Sequence, residues 1–113
     1  MTRYTQAIAG LPEEVAERLR ELGSHIRSAR KIRRLNMVDL ARRALTSRET
    51  LRRLERGEPG VSIGTLAHVL WVLGLSENLG NLASLKVDAH GLARLELDLP
   101  KRIKRRKESQ YDF

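Results

Sequence analysis

Between residues 48 and 56 the chain carries Arg48, Glu49, Arg52, Arg53 and Arg56, four guanidinium groups and one carboxylate set at helical spacing around Leu51 and Leu54. A guanidinium is always charged and presents a rigid fork of N–H donors, so such a set can clamp phosphates or bind a guanine edge bidentately. A solvated surface helix more often balances its charges with acids one turn away, and this stretch does not. Its surroundings are equally lopsided: residues 27–56 hold eleven basic and three acidic side chains, and residues 101–107 hold six basic and no acidic ones. The formal net charge is +8, so the remainder of the chain is acidic by six. Charge gathered in two segments polarises a surface, the footprint of a chain that meets a polyanion.

Other chemistry finds little footing. With no cysteine in 113 residues, disulfides, thiolate zinc sites and cysteine nucleophiles are excluded. His25, His68 and His90 lie far apart without acidic neighbours at ligand spacing, so no metal is expected. Ser24 and His25 are adjacent on a helix and diverge, and no glycine is followed by Lys-Ser or Lys-Thr as in a phosphate-binding loop. No catalytic residue and no cofactor is expected. The four aromatics, Tyr4, Trp71, Tyr111 and Phe113, are too few for base stacking to be a main binding mode, which makes single-stranded nucleic acid the weaker polyanion.

The length suits one domain and is short for a two-lobed α/β enzyme. The longest apolar run, residues 69–75 with Gly74 inside it, falls well below the roughly 18 residues of a membrane span. The N-terminus lacks a basic region followed by an apolar stretch. A soluble, cytoplasmic protein with no membrane partner is expected.

The elements that would position the arginines can be read from periodicity and caps. Leu11, Val15, Leu19, Leu22, Ile26 and Ala29 recur at intervals of three and four, which predicts a first helix from Pro12 to Arg34, bent or broken near Gly23. Asn36 caps a short second helix, with Asp39 completing a capping box and Leu40, Ala41 and Ala44 buried, ending near Ala44 or Leu45. Thr46 and Ser47 offer the next cap, with Glu49 three residues after Thr46, and Gly57 with Pro59 beyond it stops the helix they open. Ser62 starts a fourth helix through Ile63, Leu66, Ala67, Leu70 and Leu73 to Gly74, and Ser76 a fifth through Leu79, Leu82 and Ala83. Five short helices make an all-α bundle. Trp71, in the middle of an apolar helix, suits either core or a subunit interface.

Beyond Ser84 the pattern admits two readings. Leu95, Leu97 and Leu99 alternate with Glu96 and Asp98 as in a half-buried strand, whereas Leu92, Leu95 and Leu99 fit a helical face. A lone strand in an α-bundle would find its partner in a second subunit. The expected organisation is an N-terminal extension (1–11), the bundle (12–84), a C-terminal extension that can serve dimerisation (85–100) and a flexible basic tail (101–113). Lys101, Arg102, Lys104 and Arg105 in that tail could contact phosphate, dock an acidic partner or merely aid solubility. Tyr111 and Phe113 are either a short docking segment for a protein partner or a tail without consequence.

Residues 22–75, through LGSHIRSARKIRRLN, DLARRALTSRETLRRLERG and SIGTLAHVLWVLGL, resemble the Cro and C1 repressor-like (XRE) helix-turn-helix family in both order and spacing. The resemblance implies a five-helix fold working as a homodimer on an inverted repeat in double-stranded DNA. It implies base reading by Arg48, Glu49 and Arg53, and a structural pair between Arg30 and Glu55. Glu49 would either accept from cytosine or orient an arginine, and Arg42, Arg43, Arg52 and Arg56 would take phosphates, with Met37, Ser47 and Thr50 completing the contact surface. Two positions depart from the family pattern: Met37 stands where glutamine is usual after the cap, and Leu45-Thr46 where Gly-Val is frequent. Losing that glycine removes an easy left-handed residue, so a reshaped turn is expected. Within the family, ERGEPGVSIGTLAHVLWVLGL with the acidic stretch and LPKR beyond it looks like the HipB-like antitoxins, operon repressors that also restrain a HipA-like serine/threonine kinase toxin. The nearest alternative is a stand-alone or phage-type regulator without a toxin partner.

Overall fold

The structure, a computed structural model, describes residues 3–98. Every regular element among them is helical: α1 (Arg3–Ala9), α2 (Glu13–Ile32), α3 (Met37–Arg43), α4 (Arg48–Glu55), α5 (Ile63–Val72), a 3-10 helix (Ser76–Asn81) and α6 (Ala89–Asp98). No helix among the described residues is long and apolar enough to cross a membrane. The chain divides into two compact units, Met1–Ser76 and Glu77–Phe113.

In the first unit α4 packs on α2 and α3, and α3 on α5. The largest fully buried side chains, Ile26, Leu40, Leu51 and Val69, come one from each of α2 to α5, so these four helices share one small core. Three of them start on side-chain caps. Asn36 Oδ1 accepts from Asp39 N at 2.8 Å, Ser47 Oγ from Thr50 N at 3.0 Å, and Ser62 Oγ from Thr65 N at 3.1 Å. Each such cap is worth about 1 kcal/mol. Ser47, not Thr46, is the cap of α4, and the Asp39 carboxylate pairs with Arg42 instead of closing a capping box.

The helix ends repeat one motif. After α2, α3, α4 and α5 the residues Arg34, Leu45, Gly57 and Gly74 take left-handed φ values of 56°, 54°, 78° and 78°. In each case the next amide reaches back five residues: Leu35 N to Arg30 O, Thr46 N to Ala41 O, Glu58 N to Arg53 O and Leu75 N to Leu70 O. These are Schellman closures, which satisfy helix-end carbonyls that would otherwise be orphaned. At the turn between α3 and α4 no glycine supplies this conformation. Leu45 adopts the left-handed conformation itself, at a cost of about 1–2 kcal/mol.

Gly23 does not break α2, which runs continuously through it. A Cβ there would lie 2.5 Å from the Glu55 carbonyl, and one on Gly57 would lie 2.5 Å from the Arg20 backbone. Both glycines let α2 and the end of α4 meet backbone to backbone. Other expectations also shift. Pro12 precedes α2 as its N-cap, Ile63 and Val15 are exposed, and Trp71 is 66 % exposed and so not core.

From Ser76, the last residue of the first unit, a 3-10 helix runs to Asn81 in place of an α-helix, and Leu82 is exposed. Residues 89–98 are helical, which removes the intersubunit strand. Asp88 Oδ1 accepts from Gly91 N at 2.9 Å, supporting the first turn of α6. Asp88 thus favours the helical one of two periodicities that the leucines alone left equal.

Candidate functional site

Leu51 and Leu54 turn inward, and this sets the outward face of α4. Arg48, Glu49 and Arg56 are exposed, while Thr50, Arg52 and Arg53 are half-buried at its flanks. Ser47 is exposed at the start of the helix, its hydroxyl also within 2.9 Å of Thr50 Oγ1. Arg42 and Arg43 are exposed on α3, and Met37 is half-buried at its first turn. Two helices of seven and eight residues, joined by residues 44–47 and closed by Arg56, thus carry six arginines, one serine and one methionine of the expected contact surface.

The guanidinium groups are not equally free. Arg52 Nη1 donates to Glu49 Oε2 at 3.1 Å, one helical turn back, and Arg42 Nη2 donates to Asp39 Oδ1 at 3.3 Å. Arg53 Nε donates to Glu58 Oε1 at 3.2 Å. Exposed pairs of this kind hold little free energy, about 0–1 kcal/mol, and exchange readily for a better anion. Among the described residues Arg27, Arg43, Arg48 and Arg56 have no carboxylate within ion-pair distance.

Arg30 and Glu55 face each other across α2 and α4. Nε and Nη2 of the arginine donate to Oε2 and Oε1 of the glutamate at 2.7 and 3.1 Å, and Nη1 donates to the Leu35 carbonyl at 3.1 Å. Both side chains are more than nine-tenths buried. Three nitrogens of one arginine thereby tie α2, α4 and the α2–α3 loop together.

Two residues escaped sequence reasoning. Glu58 lies past the reversal at Gly57, where helical spacing no longer says what meets what, and yet it reaches Arg53. Arg27 counted toward the basic segment but had no role; it sits one turn before Arg30 on α2. His25 and His90 are exposed and His68 lies with its ring centroid 5.8 Å from that of Trp71. Among the described residues no group of three His, Asp or Glu side chains is placed to hold a metal ion. Lys101, Arg102, Lys104, Arg105, Tyr111 and Phe113 lie outside the described residues.

No protein-family model, curated protein or solved structure matches the chain.

Proposed function

We propose that this chain is a sequence-specific double-stranded DNA-binding repressor of the Cro/C1 helix-turn-helix type, with α3 and α4 as the two helices of the motif. The observation that carries the reading is the α4 surface: a helix anchored by Leu51, Leu54 and the buried Glu55, and turning Arg48, Glu49, Arg53 and Arg56 away from the core. A short helix fixed on one side and arginine-rich on the other has the form needed to enter a major groove, with phosphates held by flanking cations. In a homodimer, two copies of α4 would meet half-sites about 34–36 Å apart on one face of the duplex.

The test is selection from a random duplex pool, followed by binding measurements on the enriched sequence and on a scrambled one. A repressor of this type yields an inverted repeat. Arg53→Ala then costs about 1–3 kcal/mol and relaxes preference at one position of each half-site. Failure to enrich any sequence, with equal binding to all duplexes, overturns the reading.

We further infer a HipB-like antitoxin role, in which the same chain restrains a HipA-like kinase. Its support is the resemblance of residues 55–75, with the acidic stretch and the LPKR of residues 99–102 beyond them. Co-expression with the product of the neighbouring open reading frame, followed by size-exclusion chromatography, decides it. A co-eluting kinase supports the antitoxin, and separate elution leaves a stand-alone or phage-type regulator.

A further inference from the structure

Beside the reversal at Gly57 a recess of about 80 Å3 opens in the first unit, walled by Leu19 and Leu22 of α2, Leu54 of α4, Val61 before α5 and Leu66 on it. Its single charged lining residue is Glu58. Water gains little by filling such a space, since a held water needs about two to four polar partners and the walls offer little beyond one carboxylate. An aliphatic group gains more, because it exchanges water for carbon. The volume is far below the roughly 300 Å3 or more of a small-molecule pocket and suits the end of one aliphatic side chain. The surface leading to it is of the same kind. Val15, one turn before Leu19 on α2, is 42 % exposed, and Ala16 beside it is half-buried, so an apolar strip continues the recess along the first turns of α2. At the rim, Glu58 Oε1 accepts from Arg53 Nε at 3.2 Å, the only hydrogen bond of this carboxylate among the described residues, and the side chain is 41 % exposed. An ionised carboxylate has room for about four such bonds, so a second cation can join without displacing Arg53. Arg20, whose backbone adjoins Gly57, does not take that place, because Glu13 holds its guanidinium at 2.6 Å.

We infer that this recess is a docking hole for a protein partner, taking one aliphatic side chain of an exposed segment whose neighbouring Lys or Arg reaches Glu58. Size and charge together select this occupant. A hole that fits one side chain and runs on into an apolar strip needs an occupant that extends past it, as a protein segment does and a free small molecule does not. A lining with one carboxylate and no cation favours a basic segment over an acidic one. The inference stands apart from the repressor reading, since none of Arg48, Arg52 and Arg56 lines the recess.

A library of random peptides displayed on phage is panned against the full chain, with Val61→Phe, which puts a ring into the recess, as the counter-selection. The expected result is a set of peptides that share Leu, Ile, Val or Met beside Lys or Arg. One such peptide, synthesised with a fluorophore, is then followed by anisotropy. Changing its aliphatic residue to Ala should weaken binding about tenfold or more. Glu58→Gln should weaken it about two- to fivefold, and on that variant changing the peptide's basic residue to Gln should cost nothing further. A change within the peptide leaves the fold of the chain untouched, so it decides the matter where Val61→Phe fails to fold. Recovery of no peptide, recovery of peptides without the aliphatic and basic pair, or equal binding after the change to Ala overturns the docking hole. Two other results assign a different occupant and overturn the protein partner. A dimeric parent made monomeric by Val61→Phe assigns the recess to a second copy of the chain. Isoamylamine that raises the melting temperature of the parent but not of Val61→Phe, with no peptide enriched, assigns it to a free amine.

Discussion

Arg30 of α2 and Glu55 of α4, 25 residues apart in sequence, form a bidentate ion pair buried beneath the arginine-rich face of α4. The pair fixes the helix that carries Arg48 and Arg53 against α2, the longest helix among the described residues. Its value lies more in orientation than in net energy, since removing two charges from water offsets most of their attraction. Breaking it on one side is another matter. Arg30→Met leaves the Glu55 carboxylate buried and unpaired and should cost about 3–5 kcal/mol, read as a fall in the urea midpoint. Arg30→Met combined with Glu55→Leu should recover most of that loss. A single variant as stable as the parent would show that water reaches the site.

Leu45 occupies a left-handed position and is 82 % exposed, so almost no packing repays its backbone strain. Leu45→Gly is expected to raise stability by about 0.5–1 kcal/mol, the strain relieved less the greater freedom of glycine when unfolded. Gly57→Ala should do the reverse by at least about 2 kcal/mol, because it adds a Cβ against the Arg20 backbone to the strain of a positive φ. Thermal melts of the two variants provide the check, and destabilisation by Leu45→Gly would reveal a contact of that leucine.

Glu58 holds Arg53 by Nε, which leaves the two terminal nitrogens as a fork for a base edge. Under the proposed function Glu58→Gln removes both a restraint and a negative charge. Binding to scrambled duplex should strengthen, while the ratio of selected to scrambled affinity falls severalfold. An unchanged ratio would mean that Glu58 has no part in presenting Arg53.

Trp71, the single tryptophan, stands exposed beside His68 on α5, a helix without Asp, Glu, Lys or Arg. If this face joins two copies in the proposed homodimer, Trp71→Glu yields a monomer by sedimentation equilibrium. The fold of one copy should survive, because the ring buries little area within it. A variant that stays dimeric places the interface elsewhere, and a monomeric parent removes the homodimer.

Much of the scaffold was legible in the chain because its signals are local. Asn36, Ser47 and Ser62 lie within three residues of the amides they cap, and Gly57 and Gly74 stand at the helix ends they close. The row of arginines around Leu51 and Leu54 was equally plain, since a helix's inward and outward faces follow from spacing once its cap is known.

Tertiary structure decided what depends on distant backbone. Gly23 reads as a weak point in a helix until α4 is seen resting its last carbonyls against it. Leu45 carries no local sign that it will turn left-handed; the bonds closing α3, and the packing of α3 and α4, impose it. The partnership of Arg53 with Glu58 crosses a chain reversal, and Arg27 shares a cleft with Arg56, 29 residues away on another helix. The sequence by itself determined, to within about two residues, where α2 to α5 begin and end and which of their cations face outward, because those follow from interactions within a few residues. Which cations stay unpaired, and which share a cleft, was settled by how helices far apart in the chain pack, and no periodicity records that.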